Sequence, residues 1–276
     1  MSDADTPTGD TATGPPRAAW LAVAAAAAAA AGAAWTWQHR VVGHAVADTT
    51  DLAAAGLVVP DDLTHHDITA ADGGTIHVVE RGAGPPLVLI HGVTLSHELW
   101  VHQFTDLADR YRVIAIDQRG HGRSTAGADG FTAPGTHPGG IRRLAADLAT
   151  VLDTLDLDHA VLVGHSMGGM TTLQWAADSD PARRRRQVAG VALVSTLAGP
   201  MVGLPGWSKL LALTTPAAAR ALRTAERTGA DQIPARDLRY WTSRFTFGAD
   251  APPAEVRFAE RMISATAAST LSLIHI

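Results

Sequence analysis

The chain has 276 residues, a formal net charge of −5, 46% hydrophobic residues and only 5% aromatics, which is enough length for a sizeable core. There is no global basic excess, which argues against nucleic acid as a main partner. There is no cysteine, which excludes disulfides, thiolate catalysis and cysteine-ligated zinc.

Residues 1–17 are rich in Ser, Asp, Thr, Gly and Pro, have no apolar period and are expected to be disordered. Ala18–Trp37 then runs 20 residues without a charge, about the length that spans a bilayer core. Three readings of residues 18–40 stay open: a membrane anchor, a secretory signal cleaved near Ala45-Val46-Ala47, and an alanine-rich soluble helix. The anchor is favoured, because Trp20, Trp35 and Trp37 stand at the two ends and Arg17 and Arg40 bracket the stretch. A membrane-anchored protein is therefore the expectation, with secretion as the alternative.

Residues 41–66 read as a linker with a short helix. His65-His66 within it has no carboxylate partner in sequence and is not expected to hold a metal. From Asp67 the pattern changes. Ile68–Ala71, the turn Asp72-Gly73-Gly74 and Thr75–Glu80 predict an antiparallel strand pair. Leu87–Ile90, Val113–Ile116, Ala160–Val163 and Val191–Val194 are short continuous apolar runs, as expected of strands buried on both faces. Helical stretches over Leu99–Asp109, Ile141–Leu155 and Met167–Asp178 lie between them. The alternation predicts an α/β fold over 67–197, a mostly parallel sheet with an antiparallel start and helices on both faces. Beyond it, residues 198–270 read as helical, with helices over Pro205–Arg227 and Pro253–Ala268. Val256, Ala259, Met262 and Ile263 share one face of the second. Such an insertion sits where a lid would, over the carboxyl end of the sheet, although ordinary surface helices fit the pattern as well. The four arginines Arg183–Arg186 read as a solvated turn at the C-terminal dipole of the preceding helix.

The chemistry is concentrated in Gly164-His165-Ser166-Met167-Gly168, which follows one apolar strand and opens one helix. A strand, a sharp G-x-S-x-G turn and a helix form a nucleophile elbow, with Gly164 and Gly168 admitting a strained, closely packed backbone. Ser166 is then the nucleophile and the Met167 N–H faces a substrate oxyanion. His91-Gly92-Val93 directly follows the Leu87–Ile90 strand, which makes the Val93 N–H the second oxyanion donor. Gly92 allows close backbone approach. His91 and His165 read as structural residues of the loop and the elbow.

Together with Asp117-Gln118-Arg119-Gly120-His121-Gly122-Arg123-Ser124 after the Val113–Ile116 strand, these motifs resemble the α/β-hydrolase fold family. The similarity is greatest to its serine esterase, lipase and haloperoxidase-like branch. The resemblance covers Asp67–Leu197 strongly, the lid region weakly and the first 60 or so residues not at all. It implies structural roles for Asp117 and Arg119, tying their loop to the sheet. It implies neither metal nor organic cofactor, and a small-molecule ester as substrate; the Ala-, Trp- and Leu-containing lid sequence suggests an apolar acyl or alcohol portion. Serine at the elbow disfavours epoxide hydrolase and dehalogenase chemistry, where the family carries aspartate.

The family's chemistry also needs an acid and a histidine, in chain order after the serine. Ser195-Thr196 stand where an occasional variant carries its acid. Asp231, Asp237, Asp250, Glu255 and Glu260 fall in lid-like sequence and read as solvated. Downstream of Ser166 the only histidine is His275. Residues 271–276 break the style of the chain and match the translation of CTG TCT CTT ATA CAC ATC, which resembles a transposon end used in preparing sequencing libraries. A non-native tail on a chain truncated within its lid is therefore expected, and with it little turnover. The expected function is a serine hydrolase acting on carboxylic esters. The alternatives are a non-catalytic binding protein of the same fold and a cofactor-free haloperoxidase or perhydrolase. Oligomeric state is not read from the sequence.

Overall fold

A computed structural model of the chain describes residues 51–125, 140–198 and 250–266, with isolated positions elsewhere. By contacts the chain divides into two units, 1–48 and 49–276. In the first unit the described positions are Ala29, Gly32, Ala33, Thr36 and Trp37, which are helical and exposed. Among the described residues no helix is long and apolar enough to cross a membrane, and most of the 18–40 segment lies outside them.

The second unit is built on one six-stranded sheet: β1 (Thr64–Thr69), β2 (Thr75–Arg81), β3 (Pro86–Ile90), β4 (Arg112–Ile116), β5 (Ala160–His165) and β6 (Val188–Val194). Its order is β1-β2-β4-β3-β5-β6. β1 pairs with β2 and β2 with β4 antiparallel, and the remaining pairs are parallel, so the sheet is mixed as expected. β1 starts at Thr64, so His65 and His66, read as linker, are strand residues. His66 pairs with Val78 and meets Glu80 at 3.4 Å.

Among the described residues of this unit the helices are a 3-10 turn (His97–Trp100), α1 (Val101–Leu107), α2 (Gly140–Thr154), α3 (Met167–Asp178), α4 (Pro181–Gln187) and α5 (Pro253–Ala265). The continuous apolar runs of β3 and β4 follow from burial on both faces. Val88, Ile90, Ile114 and Ile116 pack with Leu148, Leu152 and Trp175 of α2 and α3. The intervening Leu89, Val113 and Ala115 pack with Trp100 and Phe104 on the opposite side. Helix α2 buries Leu144, Ala145, Leu148, Val151 and Leu152, one helical stripe.

Further expectations are corrected. Arg183–Arg186 form the helix α4 instead of a turn, because Asp180 accepts from the N–H groups of Ala182 and Arg183 and Pro181 opens the first turn. Arg184 still donates to the Ala176 and Ser179 carbonyls, so the arginine does satisfy the end of α3. Glu260, read as solvated, is buried on α5. That helix packs Phe258 and Met262 against Leu57 and Val101, and its face of Val256, Ala259, Met262 and Ile263 is buried as the spacing predicts. Pro205–Arg227 and residues 271–276 lie outside the described residues. Val191–Val194, expected to be buried on both faces, is instead exposed at Val191, Leu193 and Val194, because β6 is the edge strand of the sheet among the described residues.

Candidate active site

Strands β3, β4 and β5 lie side by side and parallel, so the loops leaving their carboxyl ends converge. These loops carry His91–Val93, Asp117–Arg123 and Ser166.

Ser166 sits between β5 and α3 at φ 50°, ψ −115°, a backbone conformation that a residue with a side chain adopts only under strain. The surroundings hold it there. Its N–H donates to the Val194 carbonyl at 2.9 Å, and its carbonyl accepts from Gly169 N at 3.0 Å. The Thr196 hydroxyl adds a third hold, donating to the same carbonyl at 2.6 Å. Each neighbouring glycine is there for space. A Cβ on Gly168 would lie 2.1 Å from the Ile90 carbonyl oxygen, and one on Gly164 would lie 2.6 Å from the Gly169 Cα. Among the described residues no carboxylate or imidazole is bonded to the Ser166 hydroxyl.

The loop after β3 lies against this turn. A Cβ on Gly92 would meet His165 Nδ1 at 2.9 Å and Ser166 Cβ at 3.2 Å, so only glycine admits the approach. The side chains of Val93 and Met167 belong to one small apolar cluster with Leu144 and Ile141. The two residues expected to supply oxyanion donors are thus brought together beside Ser166.

His91 is fully buried, with both ring nitrogens committed to backbone groups. The Gln118 N–H donates to Nε2 at 2.9 Å, and Nδ1–H donates to the Gly92 carbonyl at 2.6 Å. A backbone N–H can only donate and a carbonyl can only accept, so the ring is neutral with its proton on Nδ1. Burial, reinforced by the neighbouring His121, lowers its pKa to about 3. This neutral, occupied ring cannot serve as a general base for Ser166. His165 is half-buried, its Nδ1 lacks a hydrogen-bond partner, and burial lowers its pKa.

Asp117 and Arg119 fasten the second loop. The Asp117 carboxylate accepts from the N–H and Nδ1 of His97 and from the Arg123 N–H. Burial opposes its ionisation, but these hydrogen bonds and the nearby histidines more than offset it and hold the pKa down to about 2. Arg119, 1% exposed, grips Asp147 of α2 through two nitrogens at 2.9 and 2.7 Å and Asp72 of the β1–β2 turn at 2.7 Å. Arg143 also donates to Asp72.

Three residues around the site carry no motif that singled them out. The Gln118 side chain links the loop to α3, Thr171 receives that link, and Thr196 buttresses the elbow. Thr196 had one signal, its place directly after β6, where an acid was sought. Of the acidic residues named from sequence, Glu255 and Asp250 are exposed, and Asp231, Asp237 and His275 lie outside the described residues. Among the described residues no cluster of three metal-ligating side chains occurs.

A family model for the alpha/beta hydrolase fold matches residues 85–268. A putative non-heme haloperoxidase of Mycobacterium phage D29 is 34% identical over 138 residues, covering 50% of this chain and 45% of that protein. An epoxide hydrolase of Caballeronia sordidicola is 38% identical over 132 residues, covering 48% of this chain and 37% of that protein. The chain thus matches less than half the length of these curated relatives. The crystal structure of an esterase from Rhodococcus sp. ECU1013 superposes with a TM-score of 0.56 at 27% identity, covering 76% of this chain and 72% of that one. The strand order, the turn at Ser166 and the family match agree: the chain belongs to the alpha/beta hydrolase fold family.

Proposed function

We propose that this chain carries the nucleophile and oxyanion site of a serine hydrolase acting on carboxylic esters of small, apolar molecules. The observation that carries the proposal is the strained Ser166 backbone at the end of β5, with Gly92 packed directly against it. In this reading the Ser166 oxygen attacks the ester carbonyl carbon while the hydroxyl proton passes to a base. The carbonyl oxygen gains the charge and is held by the N–H groups of Val93 and Met167. Collapse of the tetrahedral intermediate expels the alcohol, which takes up the proton, and leaves acyl-Ser166 for water to cleave. His91 is excluded as the base by its two backbone hydrogen bonds, and among the described residues neither an acid nor a base is bonded to the Ser166 hydroxyl.

Epoxide opening, which the Caballeronia relative is named for, is disfavoured by serine in place of aspartate at the elbow. Perhydrolysis is the second reading, supported by the resemblance to the phage haloperoxidase: the same acyl-serine, attacked by peroxide instead of water, gives a peracid.

A fluorophosphonate probe tests the proposal. Covalent labelling of the full chain that disappears in Ser166→Ala is expected. An unlabelled chain, or labelling that survives the substitution, overturns it and favours a binding protein. Halogenation of a dye that requires both carboxylic acid and peroxide would establish the second reading.

A further inference from the structure

The two backbone donors invoked above belong to different segments, one after β3 and one opening α3, so something must hold them in register. The amide of Gln118, on the loop after β4, lies between those segments. It is 4% exposed, and its Nε2 stands 2.5 Å from the His91 carbonyl oxygen. That oxygen can only accept, so the amide nitrogen faces it and Oε1 faces the other way. Oε1 then lies 2.7 Å from the Thr171 hydroxyl, which must be the donor. Thr171 is one helical turn beyond Met167, and its hydroxyl also stands 3.1 Å from the Met167 carbonyl. A hydroxyl has one proton, and the shorter contact to Gln118 takes it. Without Gln118, that proton returns to the Met167 carbonyl as an ordinary i−4 bond within the helix.

The backbone of Gln118 acts on the other donor. Its N–H donates to His91 Nε2, and the opposite ring nitrogen donates to the Gly92 carbonyl. A trans peptide directs its C=O and N–H in opposite senses. Fixing the Gly92 carbonyl toward His91 therefore turns the Val93 N–H away from it.

We propose that Gln118 is a positioning residue that sets the spacing and aim of the Val93 and Met167 N–H groups. It does so by tying the His91 peptide to Thr171 of α3. The proposal rests on the serine hydrolase reading, yet the bridge itself can be measured without turnover. It does not touch substrate; it acts through His91 and Thr171.

The test compares Gln118→Leu, which is close in size and removes both side-chain hydrogen bonds, with Thr171→Val, which removes only the α3 side. In amide NMR spectra of the full chain, Gln118→Leu should shift both the Val93 and the Met167 resonances while those of β1 and β2 stay in place. Thr171→Val should shift Met167 more than Val93. Unmoved Val93 and Met167 resonances in folded Gln118→Leu overturn the proposal. Labelling by the fluorophosphonate should slow about tenfold or more in Gln118→Leu, a part of the loss expected when an oxyanion donor is removed outright. Its apparent affinity for the probe should hardly change. A Gln118→Leu variant that labels at the wild-type rate also overturns the proposal. Gln118→Glu adds a pH signature: its acceptor toward Thr171 is kept, and protonation restores the donor toward His91. Its rate relative to wild type should therefore climb as the pH is lowered from about 8 to about 6, the range of a buried carboxyl, and a flat ratio contradicts the proposal. If the wild-type chain does not label at all, the hydrolase reading falls, and the resonance shifts still decide whether Gln118 sets the two peptides.

Discussion

Acid should weaken this fold through His91 as the pH falls through and below the ordinary imidazole range. In the unfolded chain an ordinary imidazole takes up a proton near pH 6.5; in the folded chain burial keeps the His91 ring neutral down to about pH 3. Because the folded-state pKa is the lower one, the contribution is fully present above pH 6.5 and shrinks as the pH falls toward 3. Over most of that interval the slope is about 1.4 kcal/mol per pH unit, so His91 alone should remove about 2 kcal/mol between pH 7 and pH 5. The assay is urea unfolding followed by tryptophan fluorescence at several pH values, on wild type and His91→Gln. The variant should be less stable at pH 7, having lost a ring bonded at both nitrogens, but its stability should fall less steeply with acid. The difference between the two slopes isolates one titrating group from the other twelve histidines. Equal slopes would show that His91 does not enter the folded state neutral, and would refute the tautomer derived from its two backbone partners.

Gly168→Ala should cost about 3 kcal/mol or more, since the new methyl would collide with the backbone of Ile90, which cannot swing aside. An unchanged urea midpoint would contradict this. Asp147→Ala leaves the Arg119 guanidinium buried with Asp72 as its remaining carboxylate among those bonded to it here, and should cost about 3 kcal/mol. A loss under about 1 kcal/mol would show that water replaces the carboxylate at no great cost. Thr196→Val removes the hydroxyl from the Ser166 carbonyl and should cost about 1 kcal/mol in unfolding experiments. The same variant should also slow probe labelling, and unaltered labelling would argue that the backbone bond to Val194 holds the elbow by itself.

The strands that carry the site were legible because they leave unbroken apolar runs: β3 and β4 are buried on both faces, while β5 buries Ala160 and Leu162 on one face and leaves Val161 exposed on the other. β1 was entered late because Thr64-His65-His66 shows no such run: it is an edge strand, and its paired backbone, not apolar side chains, makes it strand. The start of β6 was hidden in the same way by Ala189-Gly190. The elbow was legible because its glycines answer a steric demand written into five consecutive residues. The bridge through Gln118 was not, since it depends on which strands are neighbours: β4 beside β3, and β3 beside β5. The burial of Glu260 was missed for a related reason, as helical spacing gives a face but not what covers it.

The same strand order bears on when the site forms during folding. Ile90 is paired with Ile116 on one side and Gly164 on the other, and Gly92 meets Ser166 across roughly 75 residues of chain, so no local stretch holds the arrangement by itself. Parallel pairings at such separations form slowly compared with helices. On a ribosome, the Ser166 turn cannot close on its partner loop until β5 and the start of α3 have emerged. Until then nothing packs against Ser166 to sustain the strain, and the residue stays in relaxed, ordinary backbone.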